Sequence, residues 1–190
     1  MVIAAREDEV LLTLGAQNAL WIAATCLLGP GRRAAVENPG YPGLRGLLDT
    51  SGTEVIAVDV DADGLPPDAL PPGLDVVFTT ASHQCPTNAT MPLDRRLALL
   101  EAAGRDGFVI VEDDYEFEMS FLKPVSPALK SLDAEGRVVY AGSFSVWPYD
   151  SPSVEFPNRH DDFAGLLMRW SPHDSLIINL LVVRIGRRIL

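Results

Sequence analysis

Short apolar runs rich in β-branched residues, each spaced from the next by a segment of helical pattern, set the narrowest limit on this chain. Val10-Leu-Leu-Thr13, Ala34-Ala-Val-Glu37, Glu54-Val-Ile-Ala-Val58, Asp75-Val-Val-Phe-Thr79, Phe108-Val-Ile-Val111 and Arg137-Val-Val-Tyr-Ala141 read as strands. One helix opens at Gly15-Ala16-Gln17 and is stopped by Gly29-Pro-Gly31; another covers Leu44–Leu48. A very short one lies between Pro66-Pro67 and Pro71-Pro-Gly73. Leu93–Ala103 is amphipathic, with Leu93, Leu97 and Leu100 expected on one side and Arg95 and Arg96 opposite. Strands joined through helices require right-handed crossovers, so the expected fold is a three-layer α/β domain with a mostly parallel sheet. In such sheets ligands collect at the carboxyl ends of strands. Gly15, Asn38–Tyr41, Ser82–Asn88, Asp113–Tyr115 and Ser143–Ser145 all fall at such ends, the last in an expected loop, Gly142-Ser-Phe-Ser-Val146.

Length and charge narrow the function. At 190 residues the chain can bury a sizeable core, and it suits one domain or part of a larger one. A formal charge of −11 argues against a nucleic-acid surface on this segment, because phosphate binding needs a basic face. Cys26 and Cys85 form neither a disulfide framework nor a metal-type cluster. Met1-Val-Ile-Ala-Ala5 runs into charged residues before an apolar signal segment develops, and Leu176–Val183 is far too short to span a membrane. The expected location is the cytoplasm. The basic residues are 13 Arg and only two Lys, Lys123 and Lys130, so lysine-dependent chemistry has two candidates.

Single motifs carry little. Asp59-Val-Asp-Ala-Asp-Gly64 opens like a calcium loop but places Leu70 where a bidentate Glu is needed, so a polar strand-to-helix turn is expected. Val109-Ile-Val-Glu-Asp113 resembles the acidic strand end of an ATPase, yet no phosphate loop of the form GxxxxGK[ST] accompanies it. Asp113-Asp114-Tyr115 with Glu116 and Glu118 could hold a divalent metal, but a solvated acidic loop is the commoner use of such residues.

The ordered set is far more specific. Thr13-Leu-Gly-Ala-Gln-Asn-Ala-Leu20, Val36-Glu-Asn-Pro-Gly-Tyr-Pro-Gly43, Thr80-Ala-Ser-His-Gln-Cys-Pro-Thr87, Val109-Ile-Val-Glu-Asp-Asp-Tyr115 and Tyr140-Ala-Gly-Ser-Phe-Ser145 follow one another at plausible spacing. Together, over about residues 9–145, they resemble the large domain of fold-type-I pyridoxal-phosphate aminotransferases. They are most similar to the aminotransferase-like domain of MocR-type (GntR-family) regulators, in which it follows a winged-helix DNA-binding domain. The resemblance implies pyridoxal 5'-phosphate as cofactor, a small amino-acid-like ligand, and a homodimer. It implies phosphate contacts from Ala16, Gln17, Ser143 and Ser145, and ring stacking by Tyr41. It also implies an Asp113 pair with the pyridine nitrogen and a Tyr115 hydrogen bond to the ring's phenolic oxygen. His83 is expected to be a packed or hydrogen-bonded histidine without a catalytic role.

The departures define the remaining expectations. Where the family carries its Schiff-base lysine this chain has Val146, so no internal imine can form and the proton-transferring amine is lost. Catalytic inactivity is therefore expected, and neither Lys123 nor Lys130 is placed to substitute. Cys85 stands where many aminotransferases have Asn, and Asn88 replaces a usual Gly. The expected division is 1–146 as a partial aminotransferase-like large domain and 147–190 as a tail of unassigned structure, a frame shift near residue 146 being one origin considered. The function expected is amino-acid transamination chemistry or ligand sensing within a MocR-type regulator. A fragment of a metabolic class I/II aminotransferase, or a non-catalytic folded remnant or interaction module, are the alternatives.

Overall fold

The computed structural model describes residues 3, 5–6, 9–115, 126–146 and 176–183; for 143–146 and 176–183 it describes the backbone. Its strands are β1 (Val10–Thr13), β2 (Arg33–Asn38), β3 (Glu54–Asp59), β4 (Val76–Thr79), β5 (Val109–Asp114), β6 (Val138–Val146) and β7 (Leu176–Val183). The α-helices are α1 (Ala16–Leu27), α2 (Pro42–Leu48), α3 (Leu93–Asp106) and α4 (Leu129–Leu132). The sheet order is β1-β7-β6-β5-β4-β2-β3. Strands β2 to β6 are parallel, whereas β7 runs antiparallel to both β6 and β1.

Burial on both faces explains why the inner strands β2, β4 and β5 read as apolar runs, whereas β1 and β3 at the edges are partly exposed. Alternation along β5 sends Val109 and Val111 to a core shared with Ala19, Leu20, Ala23 and Leu44 from α1 and α2. Ile110 faces the other core, built with Leu99, Ala102 and Ala103 of α3 and Leu129 of α4. Three layers result, as expected from the sequence rhythm.

Two expectations need correction. β6 does not end at Ala141 but continues through Val146, because Ser143–Val146 pair with Asn179–Leu176 of β7. The same pairing places residues 176–183, part of the unassigned tail, within the one sheet. In α3 the buried face holds Arg96, Leu99, Ala102 and Ala103, while Leu93 and Leu97 are about half exposed. Arg96 can sit inside because its guanidinium donates to the carbonyls of Met91 (2.9 Å), Ala81 (2.7 Å) and Pro127 (3.1 Å). A helical wheel counts only polarity and cannot see those carbonyls. The acidic turn behaves as expected: Asp61 accepts from the Asp63 amide and is gripped by Arg95, which also donates to Gly64 O.

Candidate functional site

The carboxyl ends of β2, β4 and β5 meet in a cavity of about 250 Å³ lined by Leu20, residues 36–42, Leu44, Arg45, Phe78, Thr79, Thr80 and Asp113. Its walls come from two loops. The first leaves β2 as Asn38-Pro39-Gly40-Tyr41; the second leaves β4 as Thr80 and runs through Ser82-His83-Gln84. Arg45 of α2 is the cavity's cationic lining residue among those described.

Tyr41 is anchored at this wall. Its hydroxyl donates to Gln17 Oε1 (2.8 Å), while Gln17 Nε2 donates to Gly43 O (3.0 Å). The first turn of α1 and the loop into α2 are thereby tied together. Gly43 makes the fit possible: a Cβ there would lie 2.6 Å from the Tyr41 ring and hydroxyl and 2.7 Å from Gln17 Oε1. Gly15, at φ +86° and ψ 163°, supplies the backbone corner from which α1 starts at Ala16, a conformation open essentially to glycine.

At the end of β5, alternation splits the acids between the two faces. Asp113 follows Val109 and Val111 into the cavity, and its Oδ1 is enclosed without a hydrogen-bond partner. Burial, then the charges of Asp114 and Glu37, push its carboxyl up to about 7. Glu112 and Asp114 lie on the α3 side. Glu112 accepts from the amides of Leu129 (2.8 Å) and Lys130 (3.0 Å) and faces Arg96 at 3.8 Å. Burial still raises it to about 7. Asp114 accepts from Tyr140 OH at 3.1 Å, and burial likewise raises its carboxyl.

Glu37 and Gln84 are two site residues that the motif reading did not single out. The buried Glu37 carboxylate accepts from Thr79 Oγ1 (2.7 Å), Thr80 N (3.0 Å), Thr80 Oγ1 (2.6 Å) and Gln84 Nε2 (3.1 Å). Gln84 Nε2 also donates to Pro39 O and Cys85 O, and its Oε1 accepts from Thr87 N and Oγ1. The available signal was an acid closing an otherwise apolar run, Ala34-Ala-Val-Glu37.

The remaining expected residues divide. His83 is hydrogen-bonded as anticipated, with Nε2 2.8 Å from Asn88 Oδ1, and its ring meets the edge of Tyr115 at 6.0 Å. Ala16 opens α1, beside Gln17. Ser143 and Ser145 lie on β6 opposite Asn179 and Ile177, in a strand and not in the expected loop; Val146 ends that strand opposite Leu176. Lys130 is buried, its Nζ donating to Val138 O (2.6 Å) and Asp133 Oδ2 (3.3 Å) at the opposite end of β6. Lys123, Glu116 and Glu118 lie outside the described residues.

Comparison with known proteins agrees with this geometry. Residues 2–145 match the family described as aminotransferase class I and II. The HTH-type transcriptional regulator TauR of Rhodobacter capsulatus is 66% identical over 143 residues, covering 75% of this chain and 30% of that protein. The probable rhizopine catabolism regulatory protein MocR of Rhizobium meliloti is 32% identical, over 90% of this chain and 36% of the relative. The Pyrococcus horikoshii kynurenine aminotransferase structure superposes with a TM-score of 0.67 at 30% identity, over 74% of this chain and 37% of that one. An archaeal alanine:glyoxylate aminotransferase gives 0.71 at 26% identity, over 97% and 42%. The chain thus spans about a third of the length of these regulators. It belongs to the class I and II aminotransferase family, and carries the aminotransferase-like domain found in MocR-type regulators. Pyridoxal 5'-phosphate is the cofactor this family implies. An enclosed, partnerless carboxylate oxygen beside an anchored tyrosine fits its pyridine ring.

Proposed function

We propose that this member of the class I and II aminotransferase family binds pyridoxal 5'-phosphate reversibly and serves ligand sensing in a MocR-type regulator, without turnover. Asp113 carries the reading: its Oδ1 is buried at the cavity wall with nothing to bond. A protonated ring nitrogen brought there supplies a donor and a counter-charge together, which a buried carboxylate otherwise lacks. Tyr41 offers the flat face for stacking, Tyr115 a hydroxyl for the ring's phenolic oxygen, and Ala16, Gln17, Ser143 and Ser145 the phosphate contacts. When bound, the cofactor supplies an electron sink for carbon-centred chemistry on amino acids.

This chain's residues hold and orient but do not complete that chemistry. Val146 has no amine. Lys130 is engaged at the start of β6, eight residues away, roughly 26 Å along an extended strand. The ligand proposed is small and amino-acid-like, the assembly a homodimer as in the family, and the compartment the cytoplasm. No helix among the described residues is long and apolar enough to cross a membrane. DNA contact belongs to a separate winged-helix domain, since this segment is acidic at −11.

Residues 1–146 make up the partial aminotransferase-like domain, and 147–190 a tail that contributes a strand to its sheet. A frame shift near residue 146 would be seen on resequencing the locus, if another frame continues the family pattern. The test of function is incubation of the purified chain with pyridoxal 5'-phosphate and an amino donor. Expected are saturable, dialysable absorbance and a raised melting temperature, with no borohydride-fixed lysine adduct. A trapped lysine imine with turnover overturns the inactive reading and favours a metabolic aminotransferase. Absence of any cofactor-dependent stabilisation favours a non-catalytic interaction module.

A further inference from the structure

We infer that Glu37 is a positioning residue, whose carboxylate ties the two loops walling the cavity into one unit and so fixes the place of Tyr41. The inference deepens the cofactor-binding reading and rests on it for its ligand arm alone.

Glu37 ends β2 at the point where the chain turns into Asn38-Pro39-Gly40-Tyr41. Its two oxygens collect four donors from the far side of the cavity: two hydroxyls, one amide and the Gln84 side chain. Gln84 then reaches back across to Pro39 O, two residues before Tyr41, and forward to Thr87. One circuit closes: the Glu37 carboxylate accepts from Gln84 Nε2, the same Nε2 donates to Pro39 O, and the chain leads back from Pro39 to Glu37, while Thr80 braces it with its amide and hydroxyl on the same carboxylate. Every member of it is in or beside the cavity, and Glu37, Thr79, Thr80 and Gln84 are all buried. Gly40 shows how tightly the loop is drawn in, because a Cβ there would strike the Glu37 carbonyl oxygen. A buried carboxylate with its lone pairs occupied by neutral donors has strong directional holds and no room to trade partners. Nor does it have spare capacity for a ligand, so it acts on one through the walls it holds and through its charge on Asp113.

Glu37→Gln separates this role from bulk. The substitution keeps the volume, and the Thr hydroxyls can reverse to accept. One terminal atom, however, becomes an amide NH2, and it can no longer accept from both Thr80 Oγ1 and Gln84 Nε2. Gln84 cannot simply flip, since its Oε1 accepts from Thr87. Hydrogen exchange of the full ligand-free chain should then show segments 40–48 and 80–89 both exchanging about tenfold faster, with β5 amides unchanged. Leu99→Ala, a fully buried change in the α3 core, serves as the stability control and should loosen α3 and β5 without singling out those loops. Thr80→Val removes one hydroxyl and provides a milder variant should Glu37→Gln fail to fold; it should loosen the same two segments by less. If segment 40–48 keeps its protection in a folded Glu37→Gln or Thr80→Val chain, the inference is overturned.

The ligand arm uses pyridoxal 5'-phosphate itself. Glu37→Gln should weaken its binding about tenfold and move the pH midpoint of binding downward, because the Glu37 charge helps raise Asp113. Leu99→Ala should leave that midpoint in place. Equal midpoints in wild type and Glu37→Gln, with equal affinity, count against the inference. A wild-type chain that binds no pyridoxal 5'-phosphate sinks the proposed function instead, and leaves the exchange result to decide on Glu37.

Discussion

The carboxyl ends of β2 and β5 both carry buried acids, and they treat them in opposite ways. At β2, Glu37 is surrounded by donors that fill both its oxygens. At β5, Glu112, Asp113 and Asp114 crowd together with one guanidinium, Arg96, among the described residues facing Glu112, and Asp113 keeps an oxygen with no hydrogen-bond partner among them. A satisfied acid holds structure, whereas an unsatisfied one stores a demand that a ligand can meet. The difference separates scaffold from site at two strand ends that contribute to the same cavity.

The contrast breaks most severely at Arg96. If the β5 acids were as self-sufficient as Glu37, Arg96→Met would cost only the guanidinium's bonds to its three carbonyls. Expected instead is a loss of about 3–5 kcal/mol in urea unfolding, as for stranding a buried charge together with its bonded carbonyls. The pH dependence comes next. Asp113 and Glu112 both sit at about 7 when folded, so between their ordinary values near 4 and pH 7 the native state holds more protons than the unfolded chain. Stability must then fall as pH rises through that window, by on the order of a few kcal/mol, and level off above it. Denaturation at pH 5 and pH 8 checks the sign; greater stability at pH 8 would contradict it. Asp113→Asn should flatten part of that slope and stabilise the ligand-free chain at pH 8 by about 1 kcal/mol while weakening cofactor binding. A variant that loses both stability and binding would make Asp113 another Glu37. Smallest is Gln17→Ala, which removes an exposed bond to Tyr41 and should cost roughly 0.5–1 kcal/mol by thermal melting.

The fold was legible because strands buried on both faces announce themselves as short, unbroken apolar runs. The sequence also placed Tyr41, Asp113 and Gln17 in one neighbourhood, through motifs at successive strand ends. What it concealed was pairing at a distance. Arg96 looks like a surface residue beside Arg95 until the Ala81, Met91 and Pro127 carbonyls are seen to meet it. Glu37 looks like a strand terminator until Thr80 and Gln84, more than forty positions on, fold over it. Ser143 and Ser145 look like loop residues because their partner strand begins only at Leu176. In each case polarity could be read locally, but satisfaction of that polarity could not.

The antiparallel β7 also bears on the order in which the chain can assemble. Strand β1 is hydrogen-bonded to β7, the first and last strands among the described residues. During synthesis β1 emerges before every other strand of this sheet and stays unpaired until β7 has followed, although α1 behind it can already dock on β5 and β6. Any product that ends before Leu176 would keep its central parallel strands yet leave both β6 and β1 with bare edges, inviting aggregation. Strands β1 and β7 therefore share one fate, and quality control acting on either would read the state of both.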